Sequence, residues 1–133
     1  MKITEEDIDI MMEWYSSKEI FWPELWWTLE KFIIWYDPNC KRQMVALANI
    51  INSLHLVIPC EECAEHFETQ LSNNPPPYES RLKMLQWIIE LHDNVNERNW
   101  KERLWFEGWL ENISNRISNS MSKSIENTVP TVQ

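Results

Sequence analysis

The chain has 133 residues, of which 44% are hydrophobic, and it carries nine Trp and a net charge of −9. This length is enough for one compact domain with a substantial core, and the negative charge argues against a nucleic-acid binder, whose phosphate contacts need clustered Lys and Arg. Glycine occurs once, at Gly108, which excludes Rossmann and P-loop nucleotide sites and makes tight hairpins improbable. Composition therefore favours an all-α domain.

The N-terminus is predicted to form a short acidic helix. Thr4 and Asp7 have the spacing of a capping box, and apolar residues follow at helical intervals. The opening MKITEEDIDI is unlike a signal peptide, and no apolar stretch is long enough to span a bilayer. We therefore expect residues 1–19 to be a helical extension of a soluble, intracellular protein with no membrane contact.

Five further helices are expected after this extension. Apolar stripes at helical spacing predict them within residues 25–36, 44–54, 60–71, 82–95 and 104–113. Pro23 lies where a first helical turn tolerates proline, and Pro59 closes the second stripe. The fifth helix is expected to follow the fourth after little or no loop. Residues 114–133 are rich in Ser, Asn and Thr, which predicts a mobile polar tail.

The segment VIPCEECAEHF places Cys60 and Cys63 two residues apart, behind a proline. Such a pair is a redox disulfide, half of a zinc site, or two thiols that happen to be close. Cys60 is expected in the first turn of a helix, where free N–H groups favour the thiolate, although Glu61 and Glu62 oppose this effect. In a redox pair a substrate thiolate would attack Cys60 and leave Cys63 as the inner thiolate.

A zinc site finds little support among the other residues. A structural site needs four Cys or His ligands, usually in two pairs, and the remaining candidates are scattered. They are Cys40, His55, His66 and His92. We therefore expect no metal ligand. A thioredoxin-like site is also disfavoured, because it requires a βαβ context that helical periodicity does not provide.

Three segments in order carry a resemblance to a known family. WPELWWTLEKF precedes the cysteine pair, and LHDNVNERNWK follows it at a similar distance. This order resembles the Erv/ALR family of FAD-dependent sulfhydryl oxidases, whose members carry W-x-x-L-H, C-x-x-C and H-N-x-V-N. The resemblance runs from Trp22 to Trp109 and includes the Trp-rich segment WFEGW near its end.

The resemblance implies a four-helix bundle plus a short fifth helix within residues 20–113, holding FAD at the mouth of the bundle. The implied catalytic pair is Cys60 and Cys63. The implied cofactor-binding residues are Trp26, Glu30, Tyr36, Cys63, His92, Asp93, Val95, Asn96, Lys101 and Trp105. Lys101 would lie near the phosphates, Cys63 would face the isoalloxazine ring, and Cys60 would meet the substrate.

The implied activity is FAD-linked thiol oxidation that forms disulfides in protein thiols. Electrons would pass from the cysteine pair to FAD and then to oxygen, giving hydrogen peroxide. Expected partners are a thiol-containing protein substrate, with a small thioredoxin-like carrier as one candidate, oxygen, and a second copy in a homodimer. The expected location is the host cytoplasm or a virion if the chain is viral, with the mitochondrial intermembrane space as the alternative.

Three departures from the family pattern leave alternatives open. Glu30 replaces the family's His and Asp93 replaces its Asn, which adds negative charge near a ligand that already carries phosphates. A second, shuttling cysteine pair is absent, as in the short virus-encoded members, and Cys40 is most simply a free thiol. The alternative hypotheses are a non-catalytic helical dimer that acts as an interaction platform, and a zinc-stabilised helical module.

Overall fold

The fold was obtained as a computed structural model and is described for residues 1–128, which contain helices and no strands. The helices are α1 (Glu5–Tyr15), α2 (Lys18–Trp35), α3 (Lys41–Ser53), α4 (Glu61–Asn73), α5 (Arg81–Arg98) and α6 (Trp105–Thr128), with a 3₁₀ turn at Leu54–Leu56. The chain divides within α5 into two compact units, one running from Met1 to Ile88 and one beginning at Ile89. The all-α prediction is confirmed.

The capping box at the start of α1 forms as predicted. The Asp7 backbone N–H donates to the Thr4 hydroxyl at 3.2 Å, and the Thr4 backbone N–H donates to the Asp7 carboxylate at 2.9 Å. The Thr4 backbone N–H and, to a smaller extent, the Thr4 hydroxyl, which donates to the same carboxylate at 3.0 Å, hold the pKa of Asp7 below its usual 3.8. No α1 side chain is buried, so capping rather than core burial defines this helix.

The expectation that Pro23 starts a helix is wrong, because α2 begins five residues earlier and contains Pro23 in its second turn. A proline there removes one intrahelical hydrogen bond. Aromatic packing around the extra turn offsets this loss. The Trp22 and Trp26 rings stack with centroids 5.1 Å apart, and Phe21 packs on Trp22 at 4.9 Å.

The core of the first unit is built from the inward faces of α2 to α5. Its most buried apolar side chains are Trp26, Leu29, Ile33, Tyr36, Ile51, Phe67, Met84 and Ile88. Two polar groups at its edge have partners: the Tyr36 hydroxyl donates to the Tyr78 carbonyl at 2.7 Å, and the Trp87 indole N–H donates to the Asn74 carbonyl at 2.8 Å. Burial raises the pKa of Tyr36 and of Tyr78 above 10.0.

A six-residue connection, 99–104, separates α5 from α6 where little or no loop was expected. It starts with a Schellman motif: the Lys101 N–H donates to the Asn96 carbonyl at 2.8 Å, and the Trp100 N–H donates to the Glu97 carbonyl at 3.1 Å. Trp100 occupies the left-handed position of this motif with φ 63°, where glycine is usual. No glycine therefore marks this helix end in the sequence.

The last helix extends beyond the residues predicted for it. Its expected range was 104–113, whereas α6 continues to Thr128. An apolar stripe at four-residue spacing persists among the Ser and Asn residues, and it is exposed beyond its first member. The stripe consists of Ile113, Ile117, Met121 and Ile125. The final part of the predicted tail, residues 129–133, lies outside the described residues.

Candidate redox and cofactor site

Cys60 and Cys63 form a disulfide at the N-terminus of α4. Cys60 is extended, with φ −155° and ψ 109°, and it caps the helix, its sulfur accepting the Cys63 N–H at 3.3 Å. Cys60 is half-buried, whereas Cys63 is only 8% exposed. Cys60 is therefore the more accessible half of the disulfide, and a helix N-terminus favours negative charge on a sulfur placed there.

The residues around the pair do not provide a metal-binding cluster in the described part of the chain. Within residues 1–128, no group of three or more His, Cys, Asp or Glu side chains is arranged to hold a metal ion. Cys40 is half-buried and is not part of the disulfide. None of the helices between Glu5 and Thr128 is both long enough and apolar enough to cross a membrane.

In the first unit, the other predicted site residues lie on α2 and at its end. Trp26 and Glu30 occupy successive turns of α2, and both are buried, Glu30 completely. Tyr36 is the C-terminal capping residue of the same helix and is also buried. The indole N–H of Trp22, stacked on Trp26, is buried and has no hydrogen-bond acceptor within residues 1–128. A buried donor of this kind is normally satisfied, so a bound group with an acceptor would suit this position.

In the second unit, Asp93 holds the beginning of α6. Its Oδ1 accepts the Leu104 N–H at 3.0 Å and the Trp109 indole N–H at 2.7 Å, and its Oδ2 accepts the Trp105 N–H at 3.0 Å. These contacts place a carboxylate at a helix N-terminus, where it satisfies free N–H groups and complements the helix dipole. The charge of Asp93 is thus already compensated within this unit.

His92 and Arg103 complete the arrangement around Asp93. The imidazole of His92 stacks on the Trp109 ring with centroids 3.8 Å apart. Arg103 lies 3.9 Å from the Asp93 carboxylate and donates to Asn94 at 2.8 Å and to Glu97 at 2.9 Å. Arg103 was not among the site residues predicted from the sequence. The sequence shows only a basic residue ten positions after Asp93. Whether the two side chains meet depends on the conformation of the connection between α5 and α6.

The remaining predicted cofactor residues differ in exposure. Val95 is buried, Asn96 is half-buried, and Lys101 is exposed. Trp105 is exposed with φ 60°, and the Arg103 guanidinium lies 4.5 Å from the centre of its ring. An exposed aromatic residue held in a left-handed conformation is strained, and such strain is often retained where a ligand binds.

In the second unit, Trp105 presents an exposed ring and Lys101 has an exposed cationic side chain, which suits an aromatic cofactor that carries phosphates. His92 in the same unit, and Trp26 and Tyr36 in the first unit, are also aromatic, but their rings are buried. The Asp93 carboxylate accepts three N–H hydrogen bonds and lies 3.9 Å from Arg103, so its negative charge is offset within the second unit. The structure therefore gives a reason why Asp can stand where the family pattern has Asn.

The chain is similar to known sulfhydryl oxidases. It is 33% identical over 79 residues to the mitochondrial FAD-linked sulfhydryl oxidase ERV1 of Saccharomyces cerevisiae, covering 53% of this chain and 40% of the relative. It is 30% identical over 81 residues to the FAD-linked sulfhydryl oxidase ERV1 of Arabidopsis thaliana, covering 60% of this chain and 42% of the relative. No solved structure gives a significant match.

The matched regions span less than half of each of these relatives. A sequence profile of the Erv1 / Alr family matches residues 23–114, which is more than half of the chain and includes the disulfide, Asp93 and the start of α6. The three segments that carried the resemblance all lie in or across this range. The chain therefore belongs to the Erv1 / Alr family.

Proposed function

We propose that this protein is an FAD-linked thiol oxidase that forms disulfides in protein thiols. The observation that carries the proposal is the Cys60–Cys63 disulfide at the N-terminus of α4, within the residues matched by the family profile. The names of the relatives, FAD-linked sulfhydryl oxidases, support the same activity. The net reaction converts a substrate dithiol and oxygen into a substrate disulfide and hydrogen peroxide.

The two cysteines have distinct roles in this proposal. A substrate thiolate attacks the sulfur of Cys60, the bond between Cys60 and Cys63 breaks, and Cys63 takes the electron pair as a thiolate. A second substrate thiol then attacks the mixed disulfide, which releases the oxidised substrate and leaves Cys60 as a thiol. The buried position of Cys63 keeps its thiolate away from solvent and from unwanted partners.

FAD is the cofactor that we propose for re-oxidising this pair. Bound FAD would accept two electrons from the dithiol and deliver them to oxygen. The residues proposed to hold it are Trp26, Glu30, Tyr36, Cys63, His92, Asp93, Val95, Asn96, Lys101 and Trp105. The proposed oxidase domain comprises residues 20–113, with residues 1–19 as an extension.

Oxygen uptake tests the proposed activity. The purified protein supplied with FAD and dithiothreitol should consume one oxygen molecule and release one hydrogen peroxide for each dithiol oxidised. An oxygen electrode and a peroxide assay measure the two quantities. If oxygen uptake equals that of free FAD under the same conditions, the chain has no oxidase activity and a non-catalytic role is favoured instead.

We further propose that the protein acts as a homodimer. Aromatic and aliphatic side chains on α2 and α3 are exposed, including Trp35 at 80%, and they border a groove of about 210 Å³. The exposed side chains that line this groove are Phe32, Trp35 and Ile50. A symmetric interface lets each copy place the same side chains against its partner. Light scattering should give twice the monomer mass, and a monomeric mass at micromolar concentration would contradict this.

The compartment is proposed from likeness alone. Among the expected locations, the mitochondrial one is supported by the name of the yeast relative, whereas the host cytoplasm and the virion have no such support. Fractionation of cells that express a tagged chain would test this, and recovery outside mitochondria would contradict it. The proposed substrates are thiol proteins. A small thioredoxin-like carrier stays a prediction.

A further inference from the structure

An apolar groove of about 640 Å³ opens beside the disulfide in the first unit. Tyr15, Phe21, Leu25 and Val57 contribute to its walls, and Glu24 brings a charge among these side chains. Residues 57–59 form one wall, and the next residue along the chain is the half-buried Cys60. Since consecutive Cα atoms lie about 3.8 Å apart, this wall ends where the disulfide begins.

Exposed apolar surface continues from the groove in two directions. Val57 is 73% exposed and Tyr15 is 62% exposed, and the neighbouring Leu56 and Trp14 are exposed as well. Helix α1, which supplies Tyr15, packs against α2 but buries no side chain of its own. A continuous exposed apolar patch of this kind usually marks a binding surface. Residues of α1 lie outside the range matched by the family profile. Family membership therefore does not imply that α1 lines the groove.

The geometry of a mixed disulfide places a substrate over this groove. The Cα atoms of two disulfide-bonded cysteines lie about 4.4–6.8 Å apart, and an extended chain advances about 3.3–3.6 Å per residue. When a substrate cysteine is bonded to Cys60, the residues two or three positions away from it are therefore within reach of Pro59 and Val57.

The charge at this end of the first unit is negative. Glu24 lies in the groove, and Glu61 and Glu62 are exposed in the first turn of α4, beside the disulfide. The chain as a whole carries a net charge of −9. Complementary charge steers association and selects partners, so a substrate segment with Lys or Arg near its cysteine suits this surface.

We infer that this groove binds the segment that flanks the reactive cysteine of a thiol protein, with an apolar side chain entering between Phe21, Leu25 and Val57 and a basic side chain pairing with Glu24. The inference rests on the proposed oxidase function and specifies its substrate class. The preferred substrates are thus proteins whose reactive cysteine lies two or three residues from an apolar residue, within a basic segment.

Three dithiol peptides of equal length test this inference with the FAD-loaded protein. One carries Leu and Lys near its first Cys, one carries Leu and Glu, and one carries Ser and Lys. Oxygen uptake should give a kcat/KM for the Leu–Lys peptide roughly tenfold higher than for either of the others. Raising the ionic strength should reduce the advantage over the Leu–Glu peptide, but not the advantage over the Ser–Lys peptide.

The Glu24→Lys variant provides the matching change on the protein. Because Glu24 is exposed, this substitution should leave the fold intact and should make the Leu–Glu peptide the better substrate of the two Leu peptides. The control variant Glu68→Lys makes the same charge change at an exposed site on α4, and it should keep the original order.

Three results would contradict the inference. They differ in whether the proposed oxidase function is contradicted as well. If dithiothreitol is oxidised but the three peptides have equal kcat/KM, the groove is not a substrate site while the oxidase function stands. If dithiothreitol is not oxidised, both proposals are wrong. If Glu24→Lys changes the oligomeric mass and leaves the order of the peptides unchanged, the groove is occupied by a second copy of the chain.

Discussion

Replacing Cys63 with serine is expected to abolish thiol oxidation. Without the Cys63 sulfur, Cys60 cannot form the disulfide that accepts electrons from the substrate. We expect kcat with dithiothreitol to fall by at least ~10³-fold, because the covalent step is lost rather than weakened. Oxygen uptake by FAD-supplied protein measures the effect, and far-UV circular dichroism checks that the variant is folded.

Cys40→Ser is the matched control for this experiment. It also removes one thiol, but Cys40 is a free, half-buried residue before α3 and takes no part in the disulfide. Its turnover should stay within twofold of the unmodified protein. If Cys63→Ser is folded and retains turnover, the proposed electron path through this pair is wrong.

Replacing Asp93 with alanine is expected to produce the largest loss of stability. It leaves the N–H groups of Leu104, Trp105 and Trp109 without their acceptor at a position that is almost fully buried. The Trp109 indole N–H is buried, and leaving it without a partner costs about 1–3 kcal/mol, whereas the part-buried N–H groups of Leu104 and Trp105 cost about 1 kcal/mol each. We therefore expect a loss of about 3–5 kcal/mol in the free energy of unfolding, measured by urea titration.

Asp93→Asn provides a graded comparison, because its Oδ1 can still accept the N–H groups of Leu104 and Trp109. Only the Trp105 N–H would lose its acceptor, so a loss of about 1–2 kcal/mol is expected. Glu97→Gln is the control, since Glu97 is an exposed partner of Arg103 and should change stability by less than about 0.5 kcal/mol. Equal effects of Asp93→Ala and Glu97→Gln would show that Asp93 does not hold α6.

Features that depend on local sequence could be predicted. The capping box of Thr4 and Asp7, the helix that starts at the cysteine pair, and the break in SNNPPPYES all follow from short-range chemistry, and the structure places them as expected. The all-α class followed from helical periodicity together with a single glycine. Each of these features requires only residues that are close in the sequence.

Features that depend on distant contacts could not be predicted. The extra turn of α2 before Pro23 is supported by the stacking of Trp22 on Trp26, and a rule for proline at helix starts takes no account of such packing. The contacts of Asp93 join residues 11 to 16 positions apart. They span a connection in which Trp100 has a positive φ, as does Trp105, the first residue of α6. No propensity of Trp indicates that conformation, so the sequence could name Asp93 without showing which groups it binds.

A visible absorption spectrum of the purified protein, supplied with FAD and then freed of unbound cofactor, shows whether this chain binds a flavin that is reduced through the Cys60–Cys63 pair. We predict a flavin band at about 450 nm that bleaches when dithiothreitol is added without oxygen and returns when air is admitted. A protein that stays colourless after FAD is supplied, or a band that dithiothreitol does not bleach, would contradict the proposed role of FAD.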